Sequence, residues 1–168
     1  MLYEKGVEEF VKASKIVKEK KIVCSFYLAG NMMSLNPSAI SKKTIDEWVS
    51  DGSIEYLGHI YNLNEMYKDI DIVCLPSWRE GFPKVLMEAA SFGIPTITTD
   101  VPGCRHAIIN NKTGILVPLK DPILLADAIE KLIKDKNLQE LMGKAGRALA
   151  LKKFDLKIII PQIINLYE

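Results

Sequence analysis

From Val7 to Val17 the apolar residues Val7, Phe10, Val11 and Val17 recur at helical spacing among lysines and glutamates, so residues 5 to 20 are expected to form an amphipathic helix. The pattern then changes. "IVCSFYLAG" at 22–30 is a short β-branched and aromatic run that stops at Gly30, as a buried strand does. The alternation repeats with "SKKTIDEWVSD" as helix, "IEYLG" as strand, "LNEMYKD" as a short helix and "IVCLP" as another continuous apolar strand. Next come a helix from Pro83 to Phe92, strands in "IPTITTD" and "TGILVP", and helices over 122–134 and 137–150. A last apolar helix over 156–167 carries Pro161 within it.

Strands apolar on both faces, alternating with helices of about ten residues, predict an α/β fold: a doubly wound parallel sheet with helices on both faces. No linker, low-complexity run or internal repeat divides the chain, so residues 1–168 are expected to form a single domain. Such a sheet ordinarily opens on a strand, whereas this chain opens on a helix. A first strand is therefore expected to be missing from it.

Composition narrows the function classes. With 48% hydrophobic residues in 168, the chain can bury a real core, and 22 basic against 21 acidic side chains give a net charge of +1 with no basic block. Nothing here calls for nucleic acid. Cys24, Cys74 and Cys104 are odd in number and lack C-x-x-C spacing, which fits reduced, buried thiols in a cytoplasmic protein. The start "MLYEKGVEEF" has no apolar leader region, and no run approaches the ~20 residues of a membrane span.

Chemistry concentrates in "IVCLPSWREGFPKVLMEAASF", a strand, loop and helix in succession. In open α/β sheets ligands bind beyond the carboxyl ends of strands, where helix N-termini present free N–H groups. Pro83 suits the first helical position because its φ is preset and it has no N–H to leave unpaired. Glu80 then lies in the loop and Glu88 inside the helix, roughly 7–8 Å beyond Pro83 along its axis. That spacing fits an elongated ligand with a diphosphate in its middle, held by the amides of Lys84 and Val85. Glu80 would face a sugar on one side and Glu88 a ribose on the other. Gly81 leaves room for close backbone approach. The spacing equally fits a plain helix start, with Glu80 complementing the helix dipole and Glu88 pairing with Lys84 at i, i+4.

"PSWREGFPKVLMEAASFGIPTITTDVPGCRHAI" resembles the donor-binding half of retaining glycosyltransferases of the GT-B fold, in particular glycosyltransferase family 4, the glycosyl transferases group 1. Glu80 and Glu88 fill the family's Glu, seven residues, Glu signature. "EKG" at 4–6, "LAGN" at 28–31, "YLGHI" at 56–60 and "NKTGILVPLKDPILLADAI" at 111–129 follow in the family's order. The resemblance implies a Rossmann-like domain, the C-terminal half of a GT-B fold, lacking the N-terminal acceptor-binding domain.

It also implies roles. Glu80 and Lys5 would be catalytic, Glu80 facing the donor sugar and Lys5 neutralising the diphosphate leaving group. The donor would be bordered by Gly30, Asn31, His59 and Ile60 and held by Gly81, Phe82, Pro83, Lys84, Val85 and Glu88. Pro76 and Ser77 would shape the strand exit, and Arg79 either reaches the donor or stays exposed. The reaction implied is metal-independent transfer, with retention, from a UDP-linked hexose or N-acetylhexosamine to a polysaccharide or lipid-linked glycan. It needs no cofactor beyond the nucleotide-diphosphate sugar, which is the substrate.

Other features fit less. "DID" at 69–71 imitates an Asp-x-Asp metal motif, but it precedes its strand and falls at the sheet edge opposite Glu80. Cys104 and His106 are two candidate ligands without partners, which make no zinc site. His106 replaces a residue that is acidic in many relatives. Competing functions are a sugar-nucleotide 2-epimerase-like domain and a non-catalytic nucleotide-binding α/β module. The expected location is cytoplasmic, with room for peripheral association at the inner face of the cell membrane.

Overall fold

The computed structural model describes residues 1–32 and 36–167. A 3-10 turn over Tyr3–Lys5 leads into α1 (Val7–Glu19), followed by β1 (Tyr27–Ala29), α2 (Lys42–Ser50), β2 (Glu55–Gly58) and α3 (Leu63–Lys68). Then come β3 (Val73–Leu75), α4 (Lys84–Ser91), β4 (Thr96–Thr99), α5 (Pro102–Ala107) and β5 (Gly114–Val117). Helices α6 (Pro122–Lys134), α7 (Lys136–Lys153) and α8 (Leu156–Ile164) complete it. Caps set several boundaries: Ser41 accepts from Thr44 N, Asp121 from Ile123 N and Leu124 N, and Asp135 from Leu138 N.

The expected α/β class is observed, with every strand pair parallel. The ladders form two sheets instead of one, β1–β2 and β3–β4–β5. β4 has a neighbour on each side and all four of its residues are buried, as the doubly apolar pattern requires. β1 is paired with β2 alone, and the long run expected from residue 22 contracts to Tyr27–Ala29. Val23, inside that run, is 97% exposed. A strand pattern states what a segment can bury, but only a neighbouring strand can close its ladder.

One core joins both sheets. Phe26 and Leu28 from the first and Ile97, Ile115 and Val117 from the second share a cluster with Val7, Val11 and Val17 of α1 and Leu125, Ile129 and Leu132 of α6. Each such side chain contributes roughly 1.5–3 kcal/mol of burial. Helix α1, lying along α6, thereby fixes the turn before it against the strand exits. Helix α5 was not expected from the pattern; its six residues "PGCRHA" show no periodicity long enough to register.

Candidate functional site

All parallel strands deliver their C-terminal ends to one edge of the molecule, where β3 runs into the loop from Pro76 to Pro83. This loop is sewn to the N-terminal turn. Ser77, fully buried, shares its hydroxyl proton between the Glu4 and Arg79 carbonyls at 3.0 and 3.1 Å, and Trp78 N donates to Glu4 O at 2.8 Å. Arg79 Nη2 lies 2.9 Å from Glu4 Oε2 on a side chain that is 81% exposed, so of donor contact and exposure the structure shows exposure, with an ion pair to the turn. Trp78 Nε1 donates to Glu9 Oε1 at 3.1 Å, with the Lys120 ammonium 3.9 Å from its ring centre.

The consequence is that Lys5 and Glu80, 75 positions apart, meet: Lys5 Nζ is 2.7 Å from Glu80 Oε1. The carboxylate side chain is 11% exposed and the lysine 43%, so the pair opens to solvent on the lysine side. Two glycines permit this closeness. Gly6 has φ 71°, and a Cβ on it would lie 1.9 Å from the Pro76 carbonyl oxygen. A Cβ on Gly103, in α5, would lie 2.1 Å from Glu80 O and 2.4 Å from Gly81 O. Sequence reasoning assigned neither a role; the Lys-Gly pair was the only trace of the first.

Beneath the pair lies Cys104. Burial pushes its thiol upward from the ordinary range, against opposing hydrogen bonds with Thr98 and Thr99, and the charges of Glu80 and Lys5 reach it. The same threonines fasten the strand exit: Thr98 Oγ1 donates to Leu75 O at 2.6 Å and Thr99 Oγ1 donates to Ser77 O.

Helix α4 begins at Lys84, and Pro83 is its N-cap with φ −75° and ψ 115°, one position earlier than the sequence pattern placed it. Its extended ψ turns the chain into the helix, and its carbonyl accepts from Leu86 N at 3.2 Å. The amides of Lys84 and Val85 are thus first-turn donors without an intrahelical acceptor. Lys84 and Gly81 are exposed, Pro83 is buried, and Val85 is half-buried. The Phe82 ring meets Phe154 edge to face at 5.5 Å. Among the described residues no ion pair joins Lys84 to Glu88.

The β1 and β2 exits are joined to each other. Gly30 N donates to Gly58 O at 2.7 Å, and Tyr56 Oη donates to Gly30 O at 2.8 Å. Asn31 and His59 are exposed and Ile60 is half-buried. His59 meets Tyr61 edge to face at 4.5 Å. The turn connects this rim to Glu80, because Tyr3 N donates to Ser38 O while Lys5 reaches the loop. Asp71 pairs with Lys136 at 3.1 Å before β3 begins, and among the described residues no three His, Cys, Asp or Glu gather as a metal site. Two open surface depressions, one along α2 and one between α1 and Ser53, are lined by none of these residues. Among the described residues no helix is long and apolar enough to cross a membrane.

Three comparisons accord with this arrangement. The chain is 32% identical over 167 residues to the N,N'-diacetylbacillosaminyl-diphospho-undecaprenol alpha-1,3-N-acetylgalactosaminyltransferase of Campylobacter jejuni, covering 99% of this chain and 42% of that protein. It is 29% identical over 165 residues to the capsular polysaccharide biosynthesis glycosyltransferase CapM of Staphylococcus aureus, covering 98% and 43% respectively. It thus spans under half the length of these curated relatives. HepE of Anabaena, solved in complex with UDP-glucose, superposes with a TM-score of 0.86 at 19% identity, over 99% of this chain and 46% of HepE, and so shares the fold. The family model described as glycosyl transferases group 1 matches residues 1–149, and the chain belongs to that glycosyltransferase family.

Proposed function

We propose that the strand-end cleft between Glu80 and Glu88 binds a nucleotide-diphosphate sugar, UDP-linked, and that the chain serves as the donor side of a retaining glycosyltransferase. The observation that carries this reading is the convergence of the Lys5 ammonium, the Glu80 carboxylate and the open amide end of α4 at one loop. A diphosphate placed at the amides of Lys84 and Val85 gains the helix end, with the Lys5 charge beside it. Glu80 then faces the sugar. Glu88, five residues into the numbered helix, accepts from the ribose hydroxyls. The base lies toward Gly30, Asn31, His59 and Ile60.

In the transfer, the bond from the anomeric carbon to the β-phosphate oxygen breaks and its electron pair leaves on the diphosphate. The acceptor hydroxyl oxygen bonds to that carbon from the same face, and its proton passes to the departing phosphate oxygen. Lys5 and the two amides stabilise the charge growing on the leaving group, while Glu80 stabilises the positive charge developing on the sugar. The leaving group's counter-charge comes from Lys5 and the helix end, so the reading requires no metal and no cofactor. The acceptor is a polysaccharide or lipid-linked glycan, in keeping with the names of the two relatives. Such acceptors place the reaction in the cytoplasm, at the inner face of the cell membrane.

Calorimetric titration with UDP, UDP-sugars and inorganic diphosphate tests the reading. UDP and UDP-sugars are expected to bind more tightly than inorganic diphosphate. Absence of heat for all of them up to about 10 mM, a limit corresponding to under 3 kcal/mol of binding, would sink it.

A further inference from the structure

Tyr67 is 3% exposed, and its hydroxyl is buried without a hydrogen-bond partner. Such a group costs folding free energy and calls for an explanation in function. Among the described residues three other buried polar atoms are orphaned: Glu9 Oε2, on a carboxylate whose other oxygen accepts from Trp78 Nε1, Thr96 Oγ1, which opens β4 at the far end of the sheet, and Gln139 Nε2 on α7.

Tyr67 sits on α3, the helix entered directly from the His59–Tyr61 rim. Its ring packs on Phe92 at 4.8 Å and joins Ala89 and Ile94 in one cluster. Phe92 follows Glu88 by four residues and donates its N–H to Glu88 O at 3.1 Å, so the two side chains share a face of α4. The Tyr67 ring thus packs against the end of α4 that carries Glu88, a half-buried carboxylate whose charge reaches the phenol and whose side chain forms no ion pair among the described residues.

We propose that Tyr67 is a positioning residue for Glu88: when a ribose occupies the cleft, the carboxylate turns so that one oxygen accepts from Tyr67 Oη while the other accepts from a ribose hydroxyl. This rests on the donor-site reading above. A carboxylate has acceptor capacity on both oxygens, so the two bonds do not compete. Burial first, and the Glu88 charge second, push the phenol up to about 12, which keeps it a donor throughout the neutral range. The bond to Glu88 satisfies the buried hydroxyl.

The test is Tyr67→Phe, alone and with Glu88→Gln, titrated with UDP and with inorganic diphosphate, alongside thermal unfolding. The single variant is expected to bind UDP roughly tenfold more weakly, as for loss of a hydrogen bond to a charged group. Its affinity for inorganic diphosphate stays at the wild-type value, and its Tm is equal or higher because an orphaned polar group has gone. In the Glu88→Gln background the same change adds no further loss of UDP affinity. Unchanged UDP affinity, equal losses for UDP and diphosphate, or additive losses in the double variant would each overturn the inference while leaving the donor reading in place. Failure of the wild-type chain to bind either ligand overturns both.

Discussion

Lys5 and Glu80 form a 2.7 Å ion pair across 75 residues of chain, at the point where β3 gives way to the loop before α4. The pair is made by backbone fastening, since Ser77 and Trp78 both grip the carbonyl of Glu4, the residue before Lys5.

Lys5→Met should weaken UDP and inorganic diphosphate alike, by roughly tenfold, because the lysine serves the diphosphate they share. Stability should fall as well, by about 1–3 kcal/mol, because the Glu80 carboxylate, 11% exposed, is left without its partner. Paired titrations and a thermal melt check both. A loss confined to UDP would place Lys5 at the nucleoside instead.

Gly103→Ala should damage the site from a distance. Its Cβ would lie 2.1 Å from Glu80 O and 2.4 Å from Gly81 O, so the loop must move. The expected cost is about 1–3 kcal/mol in stability, as for overpacking, together with weakened UDP binding. Thermal unfolding and calorimetry measure them; wild-type values of both would mean that the loop yields freely.

Gly6→Ala should be at least as harmful. It combines φ 71° with a Cβ 1.9 Å from Pro76 O, and the left-handed conformation alone costs roughly 1–2 kcal/mol for a residue with a side chain. The N-terminal turn is expected to detach from Pro76, breaking the Lys5–Glu80 pair and reducing UDP affinity. Hydrogen exchange at Trp78 N, bonded to Glu4 O, should accelerate.

These glycines mark the limit of what the residues disclosed in advance. The α/β alternation was legible because helical and strand periodicities are local, and Glu80 and Glu88 stood out because Pro83 punctuates the loop between them. The pairing of Lys5 with Glu80 was not legible, nor was the seating of Gly103 on the loop. Both depend on which distant segments share the strand-exit edge. Tyr67 was hidden for another reason: within "LNEMYKD" it reads as an ordinary core aromatic, and only burial of its hydroxyl beside α4 sets it apart.

Alkaline pH should erode stability. Burial pushes the Cys74 thiol from 9.0 up to about 12 and is the leading cause that carries Tyr67 from 10.0 up to about 12. Both groups hold their protons more tightly folded than unfolded, so the unfolded chain releases protons first and stability falls as pH rises. The decline in Tm should begin near pH 9 and run toward 12. Cys74→Ala should flatten its first part, whereas an unchanged slope would mean that Cys74 titrates as an open thiol.

The most direct measurement is a backbone amide NMR titration with UDP. A diphosphate at the start of α4 predicts saturating shifts at Lys84 and Val85, together with Gly81 and the Gly30–Asn31 rim, with a midpoint at roughly tenfold more UDP in Lys5→Met. Silence of Lys84 and Val85 at saturating UDP, or shifts confined to the depression on α2, would contradict the account.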